Sequence, residues 1–250
     1  MNEELKKYDE LGNWDFTDIN CWTEFETNWN MGDEIKKYSD EKSLILDIGT
    51  GGGEKALSQI PHNVGMIIGT DLSENMIKTA KKNLQKNKDV RGKFVVMDNL
   101  KIEFPDGLFD IVTARHTVIN AKEIYRVLND SGVLILRGVD KYDCWEIKEV
   151  FGRGQSFDDE VPISDIDYRD IKEAGFKNIE LIKIHGNEYF KTKEDLLKLL
   201  LKTPIINDFS ITTKDKNIIE EELLDKYVEK YTTEKGIVLK RKYYGIVAKK

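Results

Sequence analysis

Short apolar runs alternate with longer amphipathic stretches between residues 43 and 140. The apolar runs are typical of buried strands, and each ends in or adjoins a polar residue; they lie at 44–48, 65–71, 93–98, 109–114 and 133–136. Stretches with helical spacing separate them, clearest at 74–84 and 121–128. Because strands joined through helices form right-handed crossovers, this order predicts a mostly parallel sheet with helices on both faces. The expected fold class is therefore α/β, with a doubly wound, Rossmann-like sheet.

The C-terminal part is less regular. Its pattern predicts a helix from Asp165 to Ala174 and a strand from Lys177 to Ile184. Residues 192–233 then carry helical patterns, and two extended runs follow at 236–239 and 243–248. We expect one domain over residues 1–250, because 250 residues suffice for a single large domain with an insertion.

Residues 1–40 lie outside the alternating pattern and contain three of the four tryptophans, Trp14, Trp22 and Trp29. Together with Ile19 and Phe25, the last two recur at spacings of three and four residues, which predicts an amphipathic helix. Two interpretations stay open. The segment covers the edge of the sheet, or it forms a lid over a cofactor, since tryptophan combines a large apolar surface with one polar group.

Composition narrows the class of protein. Hydrophobic residues make up 40% of the chain and charged residues 34%, and the net charge is −7. An acidic balance argues against a nucleic-acid partner, which usually meets a basic face. Two cysteines are too few for a disulfide framework or a zinc cluster, so no metal is expected. No apolar run approaches the ~18 residues of a membrane span, and no signal peptide is evident, so we expect a cytoplasmic protein.

The stretch Asp47-Ile48-Gly49-Thr50-Gly51-Gly52-Gly53 ends the first strand with an acid and a glycine cluster. Glycine permits positive φ and lets a ligand approach the backbone closely. A dinucleotide site would require G-x-G-x-x-G, but Glu54 stands where the last glycine belongs. The spacing Gly49, Gly51 and Gly53 after Asp47 instead resembles the first motif of the class I S-adenosylmethionine-dependent methyltransferases. A purely structural turn is the alternative.

Acids follow three successive strands at Asp47, Asp71 and Asp98. A single Asp at such a position is well explained as a helix N-cap. Three aspartates at the ends of three successive strands, beside a glycine-rich turn, indicate a ligand site at the carboxyl edge of the sheet. A negative edge favours a sulfonium cation and repels a diphosphate, which argues against NAD.

The resemblance to class I methyltransferases covers residues 43–140 and assigns roles there. It implies that Asp71 accepts hydrogen bonds from the ribose hydroxyls, that Leu72 packs on adenine, and that Asp98 meets the adenine amino group. It also implies a seven-stranded sheet with an antiparallel last strand, an N-terminal cap, and a helical insertion at 192–233 between strands six and seven. The expected cofactor-binding residues are Asp47, Gly49, Thr50, Gly51, Gly53, Asp71, Leu72, Asp98, Asn99 and Arg115.

Arg115 and His116 directly follow the fourth strand, towards the methyl end of the expected cofactor cleft. Methyl transfer from a sulfonium requires in-line approach in a dry site, and His116 is a candidate base if the acceptor must lose a proton. Alternatively, both residues only line the methionine pocket. Arg153 lies between two glycines and is a candidate anion-binding residue, or part of an ordinary loop. The candidate acceptor residues are Trp14, Trp22, Trp29, His116 and Arg153.

The predicted function is methyl transfer from S-adenosyl-L-methionine to a small molecule, with S-adenosyl-L-homocysteine as the product. Two alternatives remain open. One is an RNA or protein methyltransferase, and the other is a protein that binds the cofactor without catalysis. Methyl release in the presence of an acceptor separates the enzyme from the sensor.

Overall fold

The structure is a computed structural model that describes residues 16–210 and 214–250, with side chains from residue 219 in the second range. Trp14 lies outside the described residues. Within them the strands are β1 (Cys21–Phe25), β2 (Leu44–Ile48), β3 (Met66–Asp71), β4 (Gly92–Val96), β5 (Phe109–Arg115), β6 (Leu128–Val139), β7 (Lys177–Phe190), β8 (Thr232–Thr233) and β9 (Gly236–Lys249). The helices are α1 (Met31–Tyr38), α2 (Glu54–Gln59), α3 (Glu74–Lys86), α4 (Ala121–Val127), α5 (Trp145–Phe151), α6 (Ile163–Glu173), α7 (Lys193–Lys202) and α8 (Lys214–Tyr231).

The strands form one sheet in the order β1-β7-β9-β6-β5-β2-β3-β4, with β8 paired to β9. Strands β4, β3, β2, β5 and β6 are mutually parallel, whereas β9 runs antiparallel to both β6 and β7. The expected α/β class and the antiparallel last strand are confirmed. Two short strands, β1 and β8, extend the expected seven to nine among the described residues.

Helices cover both faces of the sheet. On one face, α4 and α6 pack around a core that includes Phe109, Leu134 and Ile246. On the other, α1, α2 and α3 pack around Ile45, Phe94 and Ile135. Because both faces are covered, the central strands read as continuous apolar runs, which is why the sequence pattern located them.

The N-terminal segment differs from its prediction. The stretch around Trp22 and Phe25 is strand β1, and the helix begins only at Met31, where the Asn30 side chain accepts from the Asp33 N–H at 2.8 Å. The helical spacing predicted the wrong element, because the edge of β7 is open to a further strand. The segment pairs with this edge as the antiparallel strand β1, with Phe25 opposite Gly186. In a strand, residues three apart point to opposite faces. Trp22 therefore stacks on Tyr189, with ring centroids 5.4 Å apart, on the face opposite Phe25.

Strands β7 and β9 continue past the end of β6. Pairing of β6 with β9 ends at Val139 and Tyr243, but β7 and β9 remain paired as far as Phe190 and Ile237. Helices α5, α7 and α8, here called the helical cap, pack on this extension around Phe190 and Leu239. Helix α5 has no counterpart in the sequence prediction. No helix of the described part of the chain has the length and apolar character needed to cross a bilayer.

Strand β9 is continuous where the sequence suggested two separate runs. The charged stretch that divides the runs is accommodated because Arg241 is buried and its guanidinium pairs with Asp143 and Glu188, at 3.0 Å each. A buried charge is tolerated when it is paired in this way. The ion pairs therefore allow β9 to remain one strand through Lys240–Lys242, where it continues towards the residues that pack against the helical cap.

Candidate cofactor and acceptor site

The glycine-rich turn connects β2 to α2 at the carboxyl edge of the sheet. Gly49, Gly51 and Gly53 have φ values of +66°, +55° and +77°, which side chains rarely adopt. A Cβ on Gly49 would lie 2.5 Å from the Cβ of Thr117, so this position also lacks room for a side chain. The Thr50 N–H donates to the Thr70 carbonyl at 2.8 Å and ties the turn to the end of β3. The turn thus requires glycine at the predicted spacing.

Asp71, the last residue of β3, holds this turn in place. One carboxylate oxygen accepts from the Gly51 N–H and the other from the Ser73 N–H, both at 2.9 Å. Burial raises the pKa of Asp71, and these backbone hydrogen bonds oppose the rise. Each carboxylate oxygen has a second lone pair, so Asp71 can still accept from a ligand hydroxyl.

Asp47 is more deeply placed than its predicted role suggested. It is buried, and the Thr113 hydroxyl on β5 donates to it at 2.6 Å. Burial is the main cause of its raised pKa, while the nearby Arg115 charge acts in the opposite direction. The carboxyl group therefore links β2 to β5 beneath the turn.

Asn99 joins the loops that follow three strands. Its side-chain oxygen accepts from the Thr70 hydroxyl at 3.2 Å, and its amide donates to the Thr117 hydroxyl at 3.1 Å. Asp98 is exposed and lies two residues beyond the end of β4, where it accepts from the Leu100 N–H at 2.9 Å. The three loops therefore form one connected rim around the glycine turn.

Exposed apolar side chains accompany this rim. Leu72, Leu100 and Val118 follow β3, β4 and β5 and are 47%, 50% and 72% exposed. An adenine ring bound at this edge would remove such surface from water, which is favourable at about 25 cal/mol per Å². Leu72 thus has the exposure that its expected contact with adenine requires.

Arg115 ends β5 beside the turn. Its Nη2 donates to the Gln59 side-chain oxygen at 2.7 Å and lies 3.5 Å from the Met31 sulfur, so its direct partners are neutral. Burial, followed by the charge of Arg137, lowers the pKa of Arg115 to about 10. The guanidinium remains charged at neutral pH and has no carboxylate in direct contact among the described residues.

His116 has a left-handed backbone, with φ of +51°, and its N–H donates to the Arg137 carbonyl at 2.8 Å. Its ring stacks on Tyr243 with centroids 5.2 Å apart. The residue keeps a solvent-exposed side, although protein atoms surround the rest of the ring. Burial, then the charges of Arg137, Arg115 and Arg241, holds the pKa of His116 well below its usual range. The ring is uncharged at neutral pH and is a weaker base than an ordinary histidine.

The other candidate acceptor residues within the described part of the chain, Trp22, Trp29 and Arg153, lie in three different parts of the structure. Trp29 lies on the sheet beside the arginines, because a Cβ on Gly245 would fall 2.8 Å from its ring. Trp22 is on the opposite face, because the predicted helix that would have contained both tryptophans is not formed. Arg153 donates to the Asn207 carbonyl at 2.9 Å and pairs with Glu220 of α8, within the helical cap. We therefore remove Trp22 and Arg153 from the acceptor site.

Two residues of this region escaped the sequence analysis, Arg137 at the end of β6 and Tyr243 on β9. A signal for Arg137 was present, because Arg115 and Arg137 each directly follow one of the apolar runs, 109–114 and 133–136. Tyr243 had no such signal, since only the register of β9 against β6 brings it to Val139.

A parallel sheet with this strand order, an antiparallel last strand and a glycine-rich first turn is the class I methyltransferase fold. Residues 46–136 match the family model described as a methyltransferase domain. The sequence-based resemblance is thereby confirmed.

Two curated relatives are similar to part of the chain. Phosphoethanolamine N-methyltransferase 2 of Caenorhabditis elegans is 33% identical over 112 residues, which cover 41% of this chain and 25% of that protein. Demethylmenaquinone methyltransferase of Lactococcus lactis is 33% identical over 111 residues, which cover 40% and 44%. The chain thus spans less than half the length of either relative.

A solved structure extends the likeness over the whole fold. The YcgJ protein of Bacillus subtilis matches 88% of this chain and 97% of its own, with a TM-score of 0.63 and 19% identity. At that identity the likeness shows the fold alone.

Proposed function

We propose that the chain transfers a methyl group from S-adenosyl-L-methionine to a small-molecule acceptor and releases S-adenosyl-L-homocysteine. The observation that carries this proposal is the glycine turn, which has three left-handed glycines and is held through Gly51 by the Asp71 carboxylate, within a region that matches a methyltransferase domain. The names of both curated relatives describe methyltransferases of small molecules, which supports the same substrate class.

The residues of the rim fit this cofactor. In the proposal, Asp71 accepts from the ribose hydroxyls, Leu72 packs on adenine, and Asp98 meets the adenine amino group. Asp47 and Asp71 give the site the negative charge that favours a sulfonium. Arg115 is assigned to the carboxylate of the methionine part, because its guanidinium lies one strand from the turn without a carboxylate partner.

The cofactor supplies an activated methyl group, and the protein positions the acceptor in line with it and excludes water. The uncharged His116 accepts a hydrogen bond or a proton from the acceptor nucleophile more readily than an imidazolium does. An acceptor nucleophile that already carries a free lone pair needs no base. Positioning is thus the main contribution assigned to this chain.

The acceptor class and the location are also part of the proposal. A net charge of −7 argues against a nucleic-acid acceptor, and we infer a cytoplasmic protein with a metabolite as its substrate. The alternative of a cofactor-binding protein without catalysis requires the same rim but no acceptor.

Calorimetric titration with S-adenosyl-L-homocysteine tests the cofactor site. Asp71→Ala removes a charge-assisted acceptor, so we expect affinity to fall about 10- to 100-fold, the effect of ~1.5–3 kcal/mol for one hydrogen bond to a charged group. Asp89→Ala, which removes an exposed carboxyl group outside the rim, is the matched control and should bind normally.

Incorporation of labelled methyl groups from the cofactor into a metabolite extract tests catalysis. Incorporation that is lost in Asp71→Ala supports the enzyme. Tight product binding without incorporation in any extract would favour the non-catalytic alternative. Unchanged affinity in a folded Asp71→Ala protein would refute the cofactor site itself.

A further inference from the structure

A row of basic side chains crosses one face of the sheet beside the glycine turn. Arg115 on β5 pairs in register with Arg137 on β6, which pairs with Gly245 on β9. Residues directly opposite one another share a face, and adjacent strands lie about 4.8 Å apart. Tyr243, two residues from Gly245, is on the same face. The two guanidiniums therefore start from neighbouring strands and project to the same side.

Aromatic rings flank this row because glycines leave room for them. The Trp29 ring lies against Gly245, and a Cβ on Gly186 would come within 2.8 Å of the Phe25 ring. The guanidinium carbon of Arg137 lies 4.5 Å from the Tyr243 ring centroid and 5.8 Å from that of Phe25. The Arg137 guanidinium thus lies close to two aromatic rings.

The arginines differ in how their charges are compensated. Arg241 has two carboxylate partners, Asp143 and Glu188. Arg137 makes no side-chain hydrogen bond or ion pair within residues 16–210 and 214–250, and its Nε is buried without a partner. Burial also lowers the pKa of Arg137. Stacking on aromatic rings engages the charge but satisfies none of the N–H donors that lie in the guanidinium plane.

A buried donor without a partner is costly, and native proteins pair nearly all such groups. The fork of N–H donors on a guanidinium matches two oxygens of a carboxylate or a phosphate. Arg115 lies one strand closer to the glycine turn and is already assigned to the cofactor. A second anion would satisfy the unpartnered Nε–H of Arg137 and balance its charge.

We propose that Arg137 binds an oxyanion, a carboxylate or a phosphate monoester, carried by the methyl acceptor. This inference rests on the proposed function and names the substrate class. In the proposal, apolar walls for the rest of the acceptor come from Tyr243, Phe25 and Trp29. His116, whose N–H donates to the Arg137 carbonyl and whose ring stacks on Tyr243, is assigned to the nucleophile. Arg137 is then a residue that determines specificity.

Matched acceptors with one variable group test the proposal. Hydroxybenzoates are compared with hydroxybenzamides, amino acids with their amides, and phosphorylated amino alcohols with the free amino alcohols, in methyl-transfer assays with the whole chain. We expect transfer to an oxyanion-bearing member of a pair and at least about 10-fold lower kcat/KM for its neutral partner. The carboxylate and phosphate pairs decide between the two oxyanions.

Variants of Arg137 separate this role from a structural one. Arg137→Gln should raise KM for the anionic acceptor about 10- to 100-fold with a smaller effect on kcat, and Arg137→Lys should restore part of the loss. The affinity for S-adenosyl-L-homocysteine should stay within about twofold. Arg169→Gln, which alters an exposed arginine on α6, is the control and should match the unaltered protein.

Direct binding keeps the test decisive if no acceptor in the panel reacts. Inorganic phosphate and benzoate are titrated into the protein loaded with S-adenosyl-L-homocysteine, with thermal stabilisation as the readout. Stabilisation by one of them that disappears in Arg137→Gln supports the proposal. Equal methylation of anionic and neutral partners, or the absence of any effect of Arg137→Gln on acceptor KM and on anion binding, would overturn it.

Two further outcomes have distinct meanings. A large loss of S-adenosyl-L-homocysteine affinity in Arg137→Gln would overturn the proposal by assigning Arg137 to the cofactor. Absence of cofactor binding in the unaltered protein would refute the proposed function, whereas failure of the anion tests with normal cofactor binding would refute only the role of Arg137.

Discussion

Replacement of Gly49 by alanine tests whether the glycine turn is required by its surroundings as well as by its backbone. Gly49 and Gly107 have the same φ, +66°, but differ in the space around them. A Cβ on Gly49 would lie 2.5 Å from both the Cβ and the Oγ1 of Thr117, whereas a Cβ on Gly107 would meet nothing within 4 Å. Gly107→Ala is therefore a matched control that isolates the backbone cost.

The two variants should differ by the cost of the clash. A left-handed alanine costs roughly 1–2 kcal/mol, which applies to both positions. Overpacking typically adds about 1–3 kcal/mol, and here it applies only at Gly49, since the Cβ of Thr117 is fixed to the backbone and cannot rotate away. We expect urea unfolding to show Gly107→Ala destabilised by about 1–2 kcal/mol and Gly49→Ala by about 2–5 kcal/mol.

The same clash should reach the cofactor rim. Thr117 accepts the hydrogen bond from Asn99, which also binds Thr70, so displacement of Thr117 loosens the loops that follow β3, β4 and β5. Affinity for S-adenosyl-L-homocysteine, measured by calorimetry on folded protein, should fall in Gly49→Ala and remain normal in Gly107→Ala. Equal destabilisation of the two variants, or equal affinities for the product, would refute this account of the turn.

Two further predictions concern the packing around the site. Burial raises the pKa of Asp167 to about 6, while the hydrogen bond at 2.5 Å from the Tyr244 hydroxyl acts in the opposite direction, so between pH 4 and 6 only the folded state holds this proton. The free energy of unfolding relative to Asp167→Asn should therefore fall by about 1–3 kcal/mol as the pH rises through that window. A difference in urea unfolding that does not depend on pH would contradict this prediction. Arg153→Ala should destabilise the protein by about 1–3 kcal/mol, because it leaves the buried Glu220 carboxylate without its partner. The affinity for S-adenosyl-L-homocysteine should not change, and a loss of affinity measured by calorimetry would return Arg153 to the site.

Local features of the sequence were sufficient to predict the glycine turn and Asp71, which carry the proposed cofactor site. The turn at Gly49, Gly51 and Gly53 depends on backbone conformations that glycine alone adopts easily, so spacing identified it directly. Asp71 was identifiable because it ends an apolar run, and strand ends of a parallel sheet meet at one edge. Such signals act within a few residues of the chain and do not depend on distant partners.

The proposed acceptor site depends on pairings between distant segments. The period around Trp22 favoured a helix, but the open edge of β7 pairs with that segment as a strand and moves Trp22 and Phe25 to opposite faces. Arg153 looked free in sequence, yet Glu220, from another helix, holds it in the cap.

The charge of Arg137 lies near Arg115 only because β5 and β6 pair in a particular register, and Tyr243 reaches it only because β9 runs antiparallel to β6. A shift of the register by one residue would turn every side chain to the other face, and the positions of Arg115, Arg137 and Tyr243 in the sequence do not by themselves say which residues of the two partner strands lie opposite one another. The sequence alone therefore determined the glycine turn of the proposed cofactor site, through local backbone chemistry, while strand pairing decided which side chains surround the proposed acceptor site.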